Sequence, residues 1–177
     1  AVALAMPDKK ISYISAERMV ASIIESLQTK TTESLKQRYY GIDVLIIDDI
    51  QSISGKTITQ DIFFSIFNEL YTKNKQIILS SDRPPSTISA LEERLRSRFE
   101  GGMIADISLP EYETRLVILK TKLQEKNLKL PEDILEYIAS NVKKNIRELE
   151  GALNSLLIYY KTNNNTPTIE TAKKLLK

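Results

Sequence analysis

Two carboxylates directly follow a short aliphatic run in the first third of the chain. The run Val44-Leu45-Ile46-Ile47 leads into Asp48 and Asp49. Three of its four residues are β-branched, which favours a strand buried on both faces of a parallel sheet, and such strands present ligand-binding groups at their carboxyl ends. Two acids at such an end indicate a site for a metal and a water molecule. The alternative is a helix cap and a turn after an ordinary strand.

The composition limits the chemistry that the chain can carry. Its 177 residues contain neither Cys nor His, which removes thiolate zinc sites, thiol nucleophiles and the commonest general base. Any catalysis must use carboxylates, Lys, Arg, hydroxyls or a bound metal. The formal net charge of +2 does not by itself indicate nucleic-acid binding. No apolar run approaches the roughly 20 residues that span a bilayer and no signal peptide is evident, so we expect a cytoplasmic protein.

Two arginines on a predicted helix, residues 89–99, could bind an anion. Arg94 and Arg98 stand four residues apart, and neither has an acid four positions away. Arg96, in contrast, has Glu92 at the spacing of a helical ion pair. Guanidinium groups without a partner favour an anion outside the helix, and a solvated basic edge is the alternative.

Arg147 stands in the first turn of a later predicted helix that opens at Asn145. The partial positive charge of a helix start disfavours a cation by roughly 0.3 kcal/mol or more. An anionic ligand at this helix start would remove the conflict. The alternative is a surface ion pair with Glu150 or Glu111.

Alternating strand and helix patterns predict an α/β fold with a parallel sheet up to residue 108. Strands are expected at Ile11–Ser15, Val44–Asp48, Gln76–Ser81 and Met103–Ser108, and helices at Ala16–Leu27, Thr32–Tyr40, Thr59–Lys73 and Ser89–Phe99. Asp82 follows the third strand and would lie beside Asp48 if the second and third strands are neighbours. A turn before two prolines explains Asp82 equally well. Thr57 and Gln60 have the spacing of a capping box for the third helix.

From residue 109 onwards only helical patterns occur, and Leu109-Pro110 marks a predicted domain boundary. Residues 1–108 would form an α/β base and residues 109–177 a small all-helical lid. Its helices are expected at Glu111–Lys126, at Pro131–Val142, from Asn145 to Tyr160, and in a short segment capped by Thr168. Ala1–Met6 has the pattern of the later part of a helix.

Gly55-Lys56-Thr57 has the letters that end a phosphate-binding loop but not its context. That loop needs a Gly five residues before the Gly of the triplet, where this chain has Ile50. It must also join a strand directly to a helix. We therefore expect Lys56 to lie exposed on an ordinary loop.

Five ordered motifs resemble the DnaA family of bacterial chromosomal replication initiators. They are Ser15-Ala16-Glu17-Arg18, Asp43-Val44-Leu45-Ile46-Ile47-Asp48-Asp49-Ile50-Gln51, Ser80-Ser81-Asp82-Arg83-Pro84-Pro85, Leu95-Arg96-Ser97-Arg98-Phe99 and Asn145-Ile146-Arg147-Glu148-Leu149-Glu150-Gly151-Ala152-Leu153-Asn154. The similarity covers nearly the whole chain. It implies the AAA+ ATPase region, with a P-loop NTPase-type parallel sheet, flanking helices and a helical lid.

The resemblance implies three acids in catalysis. Asp48 and Asp49 match the Walker B acids, of which Asp48 would bind Mg²⁺ and Asp49 would orient the attacking water. Asp82 matches the position called sensor 1. The implied ligands are ATP or ADP with Mg²⁺.

Further residues match positions that serve the nucleotide or DNA. Arg98 matches the arginine finger that reaches the nucleotide of the next subunit, and Arg94 is its neighbour in the same motif. Arg147 matches the sensor 2 arginine, which contacts phosphates from the lid. Val20 and Lys56 match contacts to single-stranded DNA, although a second basic residue of the family pattern is Ile58 here.

The resemblance also implies partners. Helices Ala16–Leu27 and Thr32–Tyr40 match the insertion through which ATP-bound copies stack into a filament on origin DNA, with a replicative helicase and regulators as further partners. The family's phosphate-binding loop is expected before Ala1, and its duplex-reading helix-turn-helix domain after Lys177. This chain alone is therefore expected to bind nucleotide poorly, whereas the parent protein would hydrolyse ATP slowly.

Two other functions fit the same motifs. One is a non-catalytic adaptor that keeps the fold as a protein-docking surface and has lost the phosphate-binding loop. The other is a relative with the same ATPase core and a regulatory or helicase-loading role. The coding sequence on either side of the chain distinguishes them.

Overall fold

The computed structural model describes residues 6–163 and 165–176. The chain divides into two compact units, Ala1–Ile104 and Ala105–Lys177. The helix end expected at Ala1–Met6 lies, apart from Met6, outside the described residues. The functional boundary after Ser108, between a base and a lid, stays a prediction.

A parallel sheet lies at the centre of the first unit, with its described strands in the order β1–β2–β3. The strands are β1 Ile11–Ser15, β2 Val44–Asp48 and β3 Gln76–Leu79. Ser15 pairs with Asp48, and Ile47 with Leu79, so the carboxyl ends of all three strands meet at one edge. Leu45 and Ile47 are fully buried. The aliphatic run before the two acids is therefore the central strand that its composition predicted, but Ile46, on the face opposite Leu45 and Ile47, is only half-buried.

Helices alternate with these strands and flank the sheet, as the sequence predicted. They are α1 Ala16–Gln28, α2 Thr32–Tyr40, α3 Thr57–Thr72 and α4 Glu93–Glu100, with short 3-10 turns at Ile50–Ile53 and Pro85–Thr87. Ser15 caps α1 by accepting a hydrogen bond from the Arg18 amide at 3.4 Å. Phe67 of α3 and Phe99 of α4 pack in the core with ring centroids 6.0 Å apart. The four helices and the sheet share one apolar core.

The strand predicted at Met103–Ser108 is wrong, because these residues have no regular structure. Met103 is 98% exposed and Ile107 is 93% exposed. Among the described residues no strand lies beside this segment, so its backbone has no ladder to join. An extended segment without a partner gains nothing to offset the entropy of ordering it.

The capping box predicted for α3 is also wrong. The helix begins at Thr57, and the residue before it, Lys56, makes no side-chain cap. Gln60 is instead buried, and its amide group donates to the carbonyl of Ile53 at 3.0 Å and to that of Ala90 at 2.9 Å. Its oxygen accepts from the Glu92 amide at 2.8 Å. One side chain of α3 therefore holds two loops in place.

The contacts of Gln60 explain why α4 starts later than predicted. The helix expected from Ser89 begins only at Glu93. Ala90 has a left-handed backbone with φ of 48°, which a helix does not allow. Gln60 bonds both Ala90 and Glu92 in this arrangement. The predicted apolar face is confirmed, since Leu91 and the two core positions that follow it at intervals of four are buried.

We expect the substitution Gln60→Leu to lower the free energy of unfolding by about 2–4 kcal/mol, because it leaves buried backbone groups without partners. Urea denaturation of the purified chain measures the change. The matched control is Gln37→Leu, since Gln37 makes a single exposed hydrogen bond to Glu33, and its effect should stay within about 0.5 kcal/mol. An equal effect of the two substitutions would contradict the structural role of Gln60.

The second unit is helical in its described residues, as predicted. Its helices are α5 Tyr112–Glu125, α6 Glu132–Asn141, α7 Ile146–Asn163 and α8 Ile169–Leu175. Asn145, where a helix was predicted to open, accepts a hydrogen bond from the Glu148 amide at 2.6 Å. Thr168 accepts one from the Thr171 amide at 3.3 Å, which confirms its predicted cap. No described helix of either unit is long and apolar enough to cross a membrane.

Arg115 of α5 is a buried cation that sequence reasoning missed. It is 8% exposed, and it donates to the carbonyl of Ala139 at 2.7 Å and to that of Pro110 at 2.6 Å. The partial negative charge at the C-terminal end of α6 favours a guanidinium at this position. These two hydrogen bonds fasten the segment before α5 to the helical unit.

Candidate functional site

The carboxylate of Asp48 lies at the carboxyl edge of the sheet between two hydroxyl groups. Tyr13 of β1 donates to its Oδ2 atom at 2.7 Å, and Ser80, which follows β3, donates to its Oδ1 atom. The Ser80 hydroxyl also accepts a hydrogen bond from the Asp49 amide at 3.1 Å. The two strands that flank β2 therefore supply groups that hold the acid at its end.

The register of the sheet explains the contact between Tyr13 and Asp48. Tyr13 pairs with Ile46, and side chains alternate between the two faces of a strand. Tyr13 therefore shares a face with Ile46 and with Asp48, its diagonal neighbour, which is within reach of a long aromatic side chain. The pKa of Tyr13 is raised, because its hydroxyl donates to the Asp48 carboxylate and the charges of Asp48 and Asp49 oppose its ionisation.

Asp49 marks a sharp turn in the chain after β2. Its backbone is left-handed, with φ of 57° and ψ of 48°, a region that Asp and Asn enter more readily than most residues. The side chain is exposed, and its Oδ1 atom accepts a hydrogen bond from Gln51 at 3.1 Å. Asp48 and Asp49 thus diverge, the first being held against the sheet and the second facing solvent.

Asp82 is paired with its neighbour along the chain. β2 and β3 are adjacent and parallel as expected, but Asp82 lies in the loop after β3 and forms two hydrogen bonds of 2.8 Å with Arg83. These bonds lower the pKa of Asp82. The described residues contain no group of three acids that could hold a metal ion by themselves.

The donor set nevertheless fits a Mg²⁺ ion shared with a phosphate ligand. Mg²⁺ is usually held by one or two carboxylates together with phosphate oxygens and water, not by a cage of protein ligands. Asp48 offers hard oxygen atoms, and each carboxylate oxygen can accept more than one bond. The arrangement suits a metal ion that binds together with the phosphate groups of a ligand.

The arginines of α4 differ more than their spacing predicted. Arg94 forms ion pairs with Glu92, at 2.7 Å, and with Asp61 of α3, and these carboxylates raise its pKa. The prediction that Arg94 lacks a carboxylate partner is therefore wrong. The predicted pair of Arg96 with Glu92 is wrong as well, since Glu92 precedes the helix and Arg96 bonds Glu93 at 2.9 Å.

Arg98 is exposed and, among the described residues, has no carboxylate within 4.0 Å of its guanidinium. Its guanidinium carbon lies 5.0 Å from the centre of the Tyr71 ring. A cation held over an aromatic face keeps its N–H donors available at the rim of the guanidinium plane. Of the two candidate arginines of this helix, Arg98 is the one whose donors remain open to an anion.

Arg147 is exposed in the first turn of α7, as predicted. No ion pair with Glu150 or Glu111 forms within the described part of the chain, and Glu150 pairs with Lys122 at 3.1 Å. The conflict between a cation and the start of a helix therefore persists.

The two positions expected to contact DNA differ in exposure. Val20 is 6% exposed and packs in the core of the first unit, so its side chain offers little surface to a ligand. Lys56 is exposed, and its ammonium group donates to the carbonyl of Ser52 at 2.5 Å. Contact with single-stranded DNA at both positions stays a prediction.

Sequence reasoning missed Tyr13 and Ser80 as parts of this site. Ser80 stands within one of the quoted motifs, but its link to Asp48 depends on β2 and β3 being neighbours. The contact of Tyr13 follows from period-2 alternation only after the register with β2 is known. Neither residue carried a local signal.

The comparisons with known proteins agree on one family. Residues 1–106 match the family described as the bacterial DnaA ATPase domain. The fold is similar to the crystal structure of domain III of the Thermotoga maritima replication initiation protein DnaA, with 36% identity and a TM-score of 0.95 over 99% of this chain and 73% of that chain.

Two ligand-bound structures are similar as well. Aquifex aeolicus DnaA bound to AMPPCP is 41% identical, with a TM-score of 0.80 over 89% of this chain and 48% of that chain. A replication initiator DnaA bound to AMPPCP and single-stranded DNA is 41% identical, with a TM-score of 0.78 over 85% and 46%. The chain spans about half the length of these two relatives.

Proposed function

Because this chain belongs to the bacterial DnaA ATPase domain family, we propose that it binds ATP and uses it to control assembly with other copies on origin DNA. The fold is of the AAA+ type, with a parallel sheet and flanking helices. The observation that carries the proposal is the Asp48 carboxylate, fastened at the carboxyl edge of the sheet where nucleotides bind in open α/β folds. Relatives with this fold bind AMPPCP.

The acids at this edge would divide the work of ATP hydrolysis. Asp48 holds Mg²⁺ together with the phosphates, and the ion, when bound, neutralises charge on the phosphate oxygens. Asp49 faces solvent and accepts a hydrogen bond from the attacking water, which orients it. Asp82, the sensor 1 residue, meets the terminal phosphate through a water or after a change in its pairing with Arg83.

The arginines would contact the phosphates of the nucleotide, so that assembly depends on which nucleotide is bound. Arg98 contacts the terminal phosphate bound by the next subunit, which its exposure and its lack of an ion pair support. Arg147 contacts phosphates from α7, where an anion would relieve the unfavourable position of the cation. Contact of Arg94 with a nucleotide requires the exchange of Asp61 and Glu92 for phosphate oxygens.

The assembly would act on single-stranded origin DNA in the bacterial cytoplasm, with the replicative helicase and regulators as further partners. A similar DnaA is bound to single-stranded DNA. Lys56, at the start of α3, supplies an exposed ammonium group for the phosphate backbone. Contact at Val20 is less favoured, since the residue is 6% exposed and lies within α1.

We expect the chain of 177 residues to bind ATP with a dissociation constant weaker than about 1 µM, whereas a chain extended by the phosphate-binding loop expected before Ala1 binds below that value. The loop amides and lysine supply the main contacts to the phosphates. Titration with fluorescent ATP and Mg²⁺ measures both constants. Submicromolar affinity of the shorter chain would refute the need for the loop, and absence of the loop from the adjoining coding sequence would favour the non-catalytic adaptor.

A further inference from the structure

Both oxygens of the Asp48 carboxylate accept hydrogen bonds from hydroxyl groups, one on either side of β2. Tyr13 bonds Oδ2 at 2.7 Å and Ser80 bonds Oδ1. A carboxylate at the end of a strand can otherwise rotate about two side-chain torsions. Donors on its two oxygens, one from β1 and one from the residue that follows β3, hold it in one orientation.

We propose that Tyr13 is a positioning residue for Asp48, whose carboxylate it holds in the orientation that meets the metal ion of a bound nucleotide. The inference rests on the proposed function of Asp48. Each carboxylate oxygen carries two lone pairs, so an oxygen that accepts from a hydroxyl group can also bind a metal ion. Groups that orient a metal ligand in this way commonly change metal affinity by 10–100-fold when removed.

Tyr13 contributes little to the packing of the first unit. Its side chain is 67% exposed and lies outside the buried core. Removal of its hydroxyl therefore leaves no cavity and no buried polar group. Ser80 is different, because its hydroxyl also bonds the Asp49 amide and so shapes the turn after β2. Tyr13 is thus the residue at which orientation of Asp48 can be changed without a change in the backbone.

A second tyrosine of the same unit provides a matched control for Tyr13. Tyr71 of α3 is 58% exposed, and its hydroxyl forms no hydrogen bond among the described residues. The substitution Tyr71→Phe removes the same atom at a similar exposure and keeps the ring under Arg98. It therefore reports the effect of losing a surface hydroxyl that faces no acid.

The test measures Mn²⁺ binding by electron paramagnetic resonance, with AMPPCP present, in the chain extended by the phosphate-binding loop. We expect Tyr13→Phe to weaken Mn²⁺ affinity by roughly tenfold, the lower end of that range, because Ser80 still donates to the other carboxylate oxygen. The affinity for AMPPCP without metal and the urea midpoint should be unchanged, and Tyr71→Phe should match the unaltered protein. In the Asp48→Asn background, Tyr13→Phe should have no further effect.

Each other outcome counts against a specific step. Unchanged Mn²⁺ affinity in Tyr13→Phe, with a loss in Asp48→Asn, would overturn the positioning role alone. Unchanged affinity in Asp48→Asn would overturn the proposed function of Asp48, and the inference with it. A shift of the urea midpoint or of metal-free AMPPCP affinity in Tyr13→Phe would assign Tyr13 a structural role and overturn the inference.

Discussion

The substitution Arg98→Ala should abolish ATP-dependent assembly of the extended chain while leaving its affinity for ATP unchanged. Arg98 is exposed and lies over the Tyr71 ring, so its donors are open to a phosphate of another subunit. In nucleotide hydrolases that use an arginine finger, this residue is worth roughly 10³–10⁵ in rate. We expect at least a hundredfold loss of association, or of order 3 kcal/mol. Sedimentation velocity with ATP and with ADP measures it.

Two substitutions on the same helix provide the controls for Arg98. Arg96→Ala removes a neighbouring, half-buried cation that is paired with Glu93 and bonded to the carbonyl of Leu91, and it should leave assembly within about twofold of normal, since these donors already have partners in the same subunit. Arg98→Lys keeps the charge but loses the planar fork that binds phosphate through two donors. Its assembly should therefore be weaker than that of Arg96→Ala and stronger than that of Arg98→Ala. Retained assembly in Arg98→Ala would contradict the role across subunits.

The substitution Asp49→Asn should lower the rate of ATP hydrolysis by roughly 10²–10⁴, the usual contribution of a group that activates the attacking nucleophile. ATP binding and ATP-dependent assembly should persist, because neither requires the water to react. The backbone should not change, since Asn enters the left-handed region as readily as Asp and its amide oxygen can still accept from Gln51. Release of inorganic phosphate during a single turnover measures the rate.

The control for Asp49 is Asp8→Asn, which removes an exposed carboxylate from the turn before β1. Its hydrolysis rate should equal that of the unaltered protein. Hydrolysis by Asp49→Asn within about threefold of normal would show that another group orients the water. Loss of ATP binding in Asp49→Asn would show that the acid serves binding, and would exchange the roles proposed for Asp48 and Asp49.

The elements that the sequence predicted correctly are those whose signals are local. Val44–Ile47 is too short for a helix and is followed by acids, so its assignment as a strand needs no knowledge of its neighbours. Ser15 and Thr168 cap helices through residues three positions away. Periodicity and these two caps act within one or two turns of chain, whereas the capping box predicted at Thr57 and Gln60 does not form, because Gln60 bonds Ala90 and Glu92.

The predictions that failed depend on partners far along the chain. Met103–Ser108 has the composition of a strand, but a strand forms only where another lies beside it. The late start of α4 follows from Gln60, about thirty residues earlier in the chain, which bonds the backbone before the helix. No local pattern contains that information.

In the candidate site, too, contacts between residues far apart in the chain could not be predicted from local patterns. Arg94 and Arg98 are indistinguishable by helical spacing, yet Arg94 meets Asp61 of α3 whereas Arg98 meets the Tyr71 ring. Similarly, Asp48 was prominent in the sequence and Tyr13 was not, because the register of β1 against β2 decides their contact. The sequence singled out Asp48 as a candidate, but the hydroxyl groups that donate to it could not be predicted.

Mixing two defective proteins tests most directly whether Arg98 of one subunit serves the nucleotide held by Asp48 and Asp49 of another. One partner carries Arg98→Ala and keeps its nucleotide site, and the other carries Asp48→Ala and keeps Arg98. Each alone should remain monomeric with ATP in sedimentation velocity, because no interface has both halves. The mixture should form heterodimers and nothing larger, since one complete interface is available for each pair. A mixture that stays monomeric, or assembly by Arg98→Ala alone, would contradict the claim.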